Sequence, residues 1–259
     1  MKMSRSVMSE IKRDHIHKLL ATGKRVDGRA WDEFRPISIQ INFAENAEGS
    51  ARVKLGNTDV LVGVKMTVGQ PFADTPNKGV LTTNAELIPL ASPTFESGPP
   101  DEDSVELARV CDRGIRESQM IDLEKLCIEP GKEVWILFTD IYVLDYDGNL
   151  FDAAFLGAVA ALSSTIVPAK KAGKGEDYPL PIRHLPISVT AAQIENSILV
   201  DPTLDEEKVA AARLTVTTDE NGDLRAMQKG LTGALTWDQI RKMIETSQRL
   251  GKDLRDMLG

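Results

Sequence analysis

Cysteine, histidine and long apolar runs are scarce in this sequence, and each scarcity removes a class of function. Cys111 and Cys127 are its two cysteines and lack any CxxC spacing. Reduced thiols in a cytoplasmic setting are expected of them, rather than a disulfide framework. The three histidines are dispersed, and His15 and His17 stand two apart, a spacing that does not share a helix face. A zinc site is not expected. No apolar run reaches the roughly 18 residues of a membrane span. No continuous apolar stretch accompanies Lys2, Arg5, Lys12 and Arg13, so a secretory signal is not expected either. Excess positive charge is also missing. With a net charge of −8, any contact with nucleic acid has to come from a local basic patch. The rest of the composition, 42% hydrophobic and 27% charged, is that of an ordinary globular chain. At about 100–200 residues per domain, 259 residues make one large domain or two small ones.

The chain is organised around residues 134–162, VWILFTDIYVLDYDGNLFDAAFLGAVAAL. Residues 134–144 are rich in Val, Ile, Leu, Tyr and Phe, as a buried central strand requires. Asp147-Gly148 signals a tight turn. The Ala-rich apolar run that follows predicts a helix buried on most sides, thin enough at Ala153, Ala154, Gly157, Ala158, Ala160 and Ala161 to lie close against a sheet. Such a strand, loop and helix start offers free backbone N–H groups to an anion. The side chains there argue against one: Leu150 and Phe151 bring no donor, and Asp152 brings negative charge. A calcium loop over 145–149 is a competing reading. Gly148 falls at the fourth position rather than the sixth, and Leu156 stands where a bidentate Glu is needed, so an Asp-Gly turn explains the run better.

Elsewhere the periodicity predicts a helix over 6–22 with apolar contacts at Ile11, Ile16, Leu19 and Leu20, ended by Gly23. The basic turn 24–29 follows. Alternation of Ile37, Ile39, Ile41 and Phe43 with polar residues predicts a half-buried strand. Turns at 46–50 and at Gly56-Asn57 make it the first of three antiparallel strands. Residues 69–101, with six prolines, read as loop-rich. Residues 102–121 read as a helix with Leu107, Ala108, Cys111 and Ile115 in one arc. Arg109, Arg113 and Arg116 fall within another arc of about 60°, roughly opposite. Two readings of that strip stand side by side: a solvated face laced by Asp112–Arg116 and Arg113–Glu117 pairs, or guanidinium groups that hold phosphates. The Lys-, Gly- and Pro-rich stretch 167–186 is the best boundary between halves. Strands over 187–192, 198–200, 213–218 and 224–228, a hairpin turn at 220–223 and a helix capped by Thr236 complete the second half. The expected division is 1–30 for the N-terminal helix and basic turn, 31–182 for a first α+β lobe and 183–259 for a second.

Arg25-x-Asp27-Gly28-Arg29, Gly56-x-Thr58-x-Val60, Asp112-Arg113-Gly114-Ile115-Arg116-Glu117-Ser118, Asp147-Gly148 and Leu199-Val200-Asp201-Pro202-Thr203 occur in this order. Together they resemble the RNase PH superfamily of phosphorolytic exoribonucleases, over nearly the whole chain. More closely they resemble the non-catalytic RNase PH-like ring subunit of the archaeal exosome. The resemblance implies an α+β fold of two βαβα-type lobes with mixed or antiparallel sheets packed against helices. It also implies a hexameric ring of three heterodimers with a catalytic sister subunit, RNA-binding cap proteins and single-stranded RNA as partners, and no membrane.

Three departures bear on activity. Catalytic relatives have a Gly-Gly-Thr-Arg-like run after the central strand, where this chain has Gly148-Asn149-Leu150-Phe151 and then Asp152. They carry an Asp a dozen or so residues beyond the Leu-Val-Asp segment, where this chain has Ala211-Ala212-Arg213. Their Arg-rich loop is replaced by the acidic, proline-containing stretch 91–104. The resemblance therefore implies no catalytic, cofactor or metal residues here, and RNA contact through Arg113, Arg116 and, less directly, Arg109, with Glu106 one turn earlier placed to neutralise it. Lys24, Arg25 and Arg29 are expected to be structural, in a turn packed at a subunit interface. The alternatives are an active phosphate-dependent 3'-to-5' exoribonuclease with unusual catalytic residues, and a ring protein that never touches RNA.

Overall fold

The computed structural model describes residues 10–258. The expected helix start at residue 6 lies outside them. Helix α1 (Glu10–Ala21) buries Ile16 and Leu20 but leaves Ile11 82% exposed. Ile11 was expected to make a core contact and makes none, because the helix offers only a narrow apolar stripe. Gly23 ends the helix region at φ +76°.

Strands β1 (Ile37–Ile41), β2 (Gly49–Leu55) and β3 (Thr58–Gly69) form the expected antiparallel meander. As the edge strand, β1 keeps only Ile37 and Ile39 partly covered; Ile41 and Phe43 are exposed, with Phe43 lying under the Arg52 guanidinium 5.2 Å away. Residues 69–101 are loop-rich and also hold a strand. Strand β4 (Val80–Leu87) lies inside them, followed by α2 (Glu102–Glu117), β5 (Cys127–Glu129) and β6 (Glu133–Asp145). β4 pairs parallel to β6, so α2 is the crossover that a parallel pair needs. The sheet order is β1-β2-β3-β6-β4, with β5 pairing to β6. Helix α2 stops four residues short of the expected end: Ser118 caps it and Gln119 takes φ +54°.

Helix α3 (Leu150–Ser163) buries every residue but its last. It lies between two sheets, which is why it is apolar all round. One side packs on β2 and β3. The other reaches the second sheet, where Leu156 joins Val53, Ile187, Val189, Val216, Met243 and Leu250. A Cβ on Gly157 would stand 2.9 Å from Val62 Cγ2, and one on Gly114 would stand 2.3 Å from Phe155 Cε2. Both glycines are thus needed for close approach. Each of Phe151, Phe155 and Leu162 contributes roughly 1.5–3 kcal/mol by leaving water.

The connection that follows carries only the short pair β7 (Ile166–Val167) and β8 (Tyr178–Pro179). The second sheet contains β9 (Ile187–Ile194), β10 (Ser197–Val200), β11 (Ala212–Thr218) and β12 (Leu224–Gly230), in the antiparallel order β10-β9-β11-β12. Helix α4 (Leu204–Val209) was not expected; it begins with a Thr203/Glu206 capping box. Helix α5 (Trp237–Asp256) starts at Thr236 as the sequence predicts, and covers this sheet with Met243, Leu250 and Leu254. Strands followed by helices, twice, make the α+β architecture expected from the resemblance.

Candidate nucleic-acid interface

Four of the five motifs converge on one point, the loop between β6 and α3. Gly148 turns there at φ +89°, and a Cβ would meet Leu204 N and Thr203 C at 2.5 Å, so only glycine fits. Thr58 Oγ1 donates to Gly148 O (2.7 Å) and accepts the Asp147 N–H (3.1 Å). Arg35 donates to Asp147 O (2.7 Å) and Gly148 O (3.2 Å). The buried Asp201 carboxylate accepts from Arg29 Nη1 (2.8 Å), from Arg35 Nε (2.9 Å) and Nη2 (2.8 Å), and from Asn149 Nδ2 (2.8 Å). Burial opposes the Asp201 charge, but these partners, Arg35 above all, outweigh it and hold its pKa below the ordinary carboxylate value. Within the basic turn, Arg25 is therefore not free to face a neighbouring subunit. That side chain is fully buried and pairs with Glu206 through Nε (3.0 Å) and Nη2 (2.6 Å).

The start of α3 is already filled by the protein itself. Leu150 and Phe151 point into the core. Asp152 turns inward and accepts from Thr190 N (2.9 Å), Thr190 Oγ1 (2.7 Å) and Asn149 Nδ2 (2.9 Å). Burial nevertheless pushes its pKa up to about 7. Glu207, from α4, places one carboxylate oxygen on the Asn149 N–H and the other on the Tyr146 hydroxyl. Phe95, from the acidic stretch 91–104, stacks on Tyr146 with ring centroids 5.4 Å apart. Arg213, at the position of the missing Asp, lies over Phe151 (3.9 Å to the ring centroid) and pairs with Glu106 at 2.6 Å. Three departures that sit far apart in sequence thus meet at one place. Glu207 was missed because α4 was. The Thr203-x-x-Glu206 spacing is the signal that would have found both.

The arginine strip lies on the open side of α2. Arg109, Arg113 and Arg116 are all exposed and share a groove with Thr82, Thr83 and Gln228. Arg116 forms the expected pair with Asp112, through Nε (3.2 Å) and Nη2 (2.9 Å), and also donates to Leu81 O at 3.2 Å. The Arg113–Glu117 pair does not form; Arg113 Nη1 donates instead to Gln228 Oε1 on β12 at 3.2 Å. Glu106 does not neutralise Arg109, because Arg213 holds it. Among the described residues Arg109 makes no ion pair.

Asp145 accepts its neighbour Tyr146 N–H, and Asp147 accepts from Asn57, as a turn rather than a calcium loop requires. Among the described residues, the one grouping with metal-ligand spacing is His184, Asp219 and Glu220. Its oxygens are taken: Asp219 by Arg225 Nε (2.7 Å) and the Asn221 and Asp223 amides (both 2.9 Å), Glu220 by His184 (2.8 Å) and the Leu185 amide (3.0 Å).

Known proteins resemble this chain along nearly its whole length. Residues 33–168 match domain 1 of the 3' exoribonuclease family and residues 184–249 match domain 2. The exosome complex component Rrp42 of Methanocella arvoryzae is 56% identical over 256 residues, covering 99% of this chain and 98% of the relative. Its counterpart from Thermococcus kodakarensis is 54% identical, covering 96% and 95%. Among solved structures, a chain of the Archaeoglobus fulgidus exosome with RNA bound to the active site superposes with a TM-score of 0.94 at 52% identity, covering 96% of this chain and 98% of that one. A chain of an archaeal exosome core gives 0.90 at 48%, covering 96% of each. With both domains matched in order and relatives above half identity along its length, the chain belongs to the 3' exoribonuclease, or RNase PH, family.

Proposed function

We propose that this chain is the non-catalytic ring component of a 3'-to-5' RNA-degrading exosome. In this reading it alternates with a catalytic RNase PH-like sister subunit, three heterodimers to a hexameric ring, beneath RNA-binding cap proteins. Arg113 and Arg116, with Arg109, hold single-stranded RNA close to the sister's active site. The observation that carries the reading is the occupied start of α3. Where a phosphorolytic enzyme needs room and donors for phosphate, this chain has its own Glu207 carboxylate, the apolar Phe151 and the buried Asp152. The open arginine strip on α2, and relatives named as exosome components, support the rest.

The division into 1–30, 31–182 and 183–259 goes with this reading. The family matches stop at 168 and resume at 184, and a bridge from Ile121 to Ile182 keeps the end of the connection with the first lobe. The proposed setting is the cytoplasm, in keeping with the free Cys111 and Cys127; no described helix is long and apolar enough to cross a membrane.

The test is to supply oligoadenylate and inorganic phosphate to the purified chain, to the sister subunit and to the mixture. The expected result is no nucleoside diphosphate from this chain alone and phosphorolysis by the mixed ring. Phosphate-dependent diphosphate release by the single chain would instead support the active-nuclease reading.

A further inference from the structure

We propose that Gln228 is a positioning residue for RNA binding: from the second lobe it aims the Arg113 guanidinium into the α2 groove without neutralising it. The inference rests on the proposed function, since it assumes that Arg113 meets an RNA phosphate. The three arginines of the strip look equivalent in sequence but have different surroundings. Arg116 is held by the Asp112 carboxylate through two nitrogens, so its charge is largely answered within the helix. Arg109 is exposed and makes no ion pair with a described residue. Arg113 is held at one nitrogen only, by the neutral amide oxygen of Gln228 at 3.2 Å. A guanidinium has five N–H donors, and bidentate recognition of a phosphate uses two of them. Arg113 therefore keeps its charge and enough donors, while one contact limits its rotation.

The placement of Gln228 follows from the second sheet. It pairs with Thr215 across the β11–β12 ladder, and two residues on, Gly230 pairs with Arg213. A Cβ at Gly230 would stand 2.5 Å from Arg213 Nη2, so the glycine lets Arg213 pass toward α2, where it takes Glu106. Strand β12 thereby does two things for the strip: its glycine admits the cation that removes Glu106 from Arg109, and its glutamine orients Arg113. Because β12 is an edge strand and Gln228 is only half-buried, changing this side chain leaves the ladder in place.

The experiment uses the assembled ring with the sister subunit, and measures the affinity of a single-stranded oligoadenylate across a salt series. The variants are Gln228→Ala, Gln228→Glu, Arg113→Ala and Arg113→Ala/Gln228→Ala, each checked for an unchanged thermal midpoint. Gln228→Ala frees the guanidinium but keeps its charge. It is expected to weaken binding about two- to tenfold, the usual cost of ordering one long side chain, with the salt slope unchanged. Gln228→Glu pairs Arg113 internally, so it should lower the slope by about 0.7, as loss of one phosphate contact does. Arg113→Ala should lower the slope equally, and adding Gln228→Ala to it should do nothing more. If Arg113→Ala weakens binding while both Gln228 variants match the parent, the positioning role is overturned and the proposed function stands. An equal loss from Gln228→Ala with and without Arg113 also overturns it. If Arg113→Ala itself changes nothing, the role of Arg113 in RNA binding fails, and the positioning role fails with it.

Discussion

The Glu207 carboxylate meets the Asn149 N–H at 2.9 Å at the start of α3, and its other oxygen accepts the Tyr146 hydroxyl at 2.7 Å. A carboxyl oxygen supplied by the chain thus takes a donor that a bound anion would need. Glu207→Ala leaves both donors without this acceptor and should cost about 1–3 kcal/mol of stability. Glu207→Gln keeps an acceptor oxygen and should cost less. Denaturant midpoints of the three proteins check this; an Ala variant as stable as the parent would mean that water serves Asn149 and Tyr146 equally well.

The arginine strip should respond unequally to truncation. Arg113→Ala with Arg116→Ala should leave ring assembly intact, weaken RNA binding and flatten its salt dependence by up to about 0.7 log units per lost contact. Arg116→Ala alone should do less than Arg113→Ala alone, because Asp112 already answers the Arg116 charge. Filter binding across a salt series separates these outcomes. Unchanged affinity in the double variant would make the strip an ordinary solvated face.

Asp201→Asn should be among the most damaging single changes outside the apolar core. It removes the carboxylate shared by Arg29 and Arg35, whose side chains are mostly buried. Breaking such a pair from one side costs about 3–5 kcal/mol. The folded pKa of Asp201 lies below 3.8, so its contribution is present above that value and is lost as pH falls through the folded pKa. Acid unfolding curves should therefore show a shallower acid limb in the variant, starting from a lower plateau.

Asp152 has the opposite sign. Burial raises its pKa from 3.8 to about 7, against the hydrogen bonds of Asn149 and Thr190. Between those two values the folded protein holds a proton that the unfolded chain has released. The Asp152 contribution to stability therefore falls as pH rises through that window. Asp152→Asn removes the ionisation, so the stability of the variant relative to the parent should increase from about pH 4 to about pH 7. Thermal midpoints across that range test it; a constant difference would return Asp152 to an ordinary pKa.

Much of the fold was legible because periodicity and turn chemistry agree locally. The meander at 37–69, the central strand, the hairpin at 220–223 and the Thr236 cap all carry their own signals. Strand β4 was hidden because Thr82, Asn84 and Glu86 give it a polar, partly exposed face at the sheet edge, between prolines. Helix α4 was hidden because six residues are too few to show a helical period. Ile11, Ile41 and Phe43 misled because an apolar residue on an exposed element does not report where it faces. At the site, the identity of the arginines was readable from their spacing on one helix. Their partners were not, since Gln228 lies 115 positions from Arg113 and Arg213 lies 107 from Glu106.

The N-terminal arm closes on the far lobe, with a consequence for how the protein is made. Ile16 and Leu20 of α1 pack against Ile194 and Leu199, and Arg25 reaches Glu206, 181 positions away. During synthesis the arm emerges long before its partners, Glu206 following Arg25 by 181 positions. Until those partners emerge, α1 has an uncovered apolar stripe, and Arg25 waits for the acid that will bury it. Contacts of such long separation form slowly. The nascent first lobe is then a species that exposes apolar surface before its seal arrives, the kind of intermediate on which chaperones act.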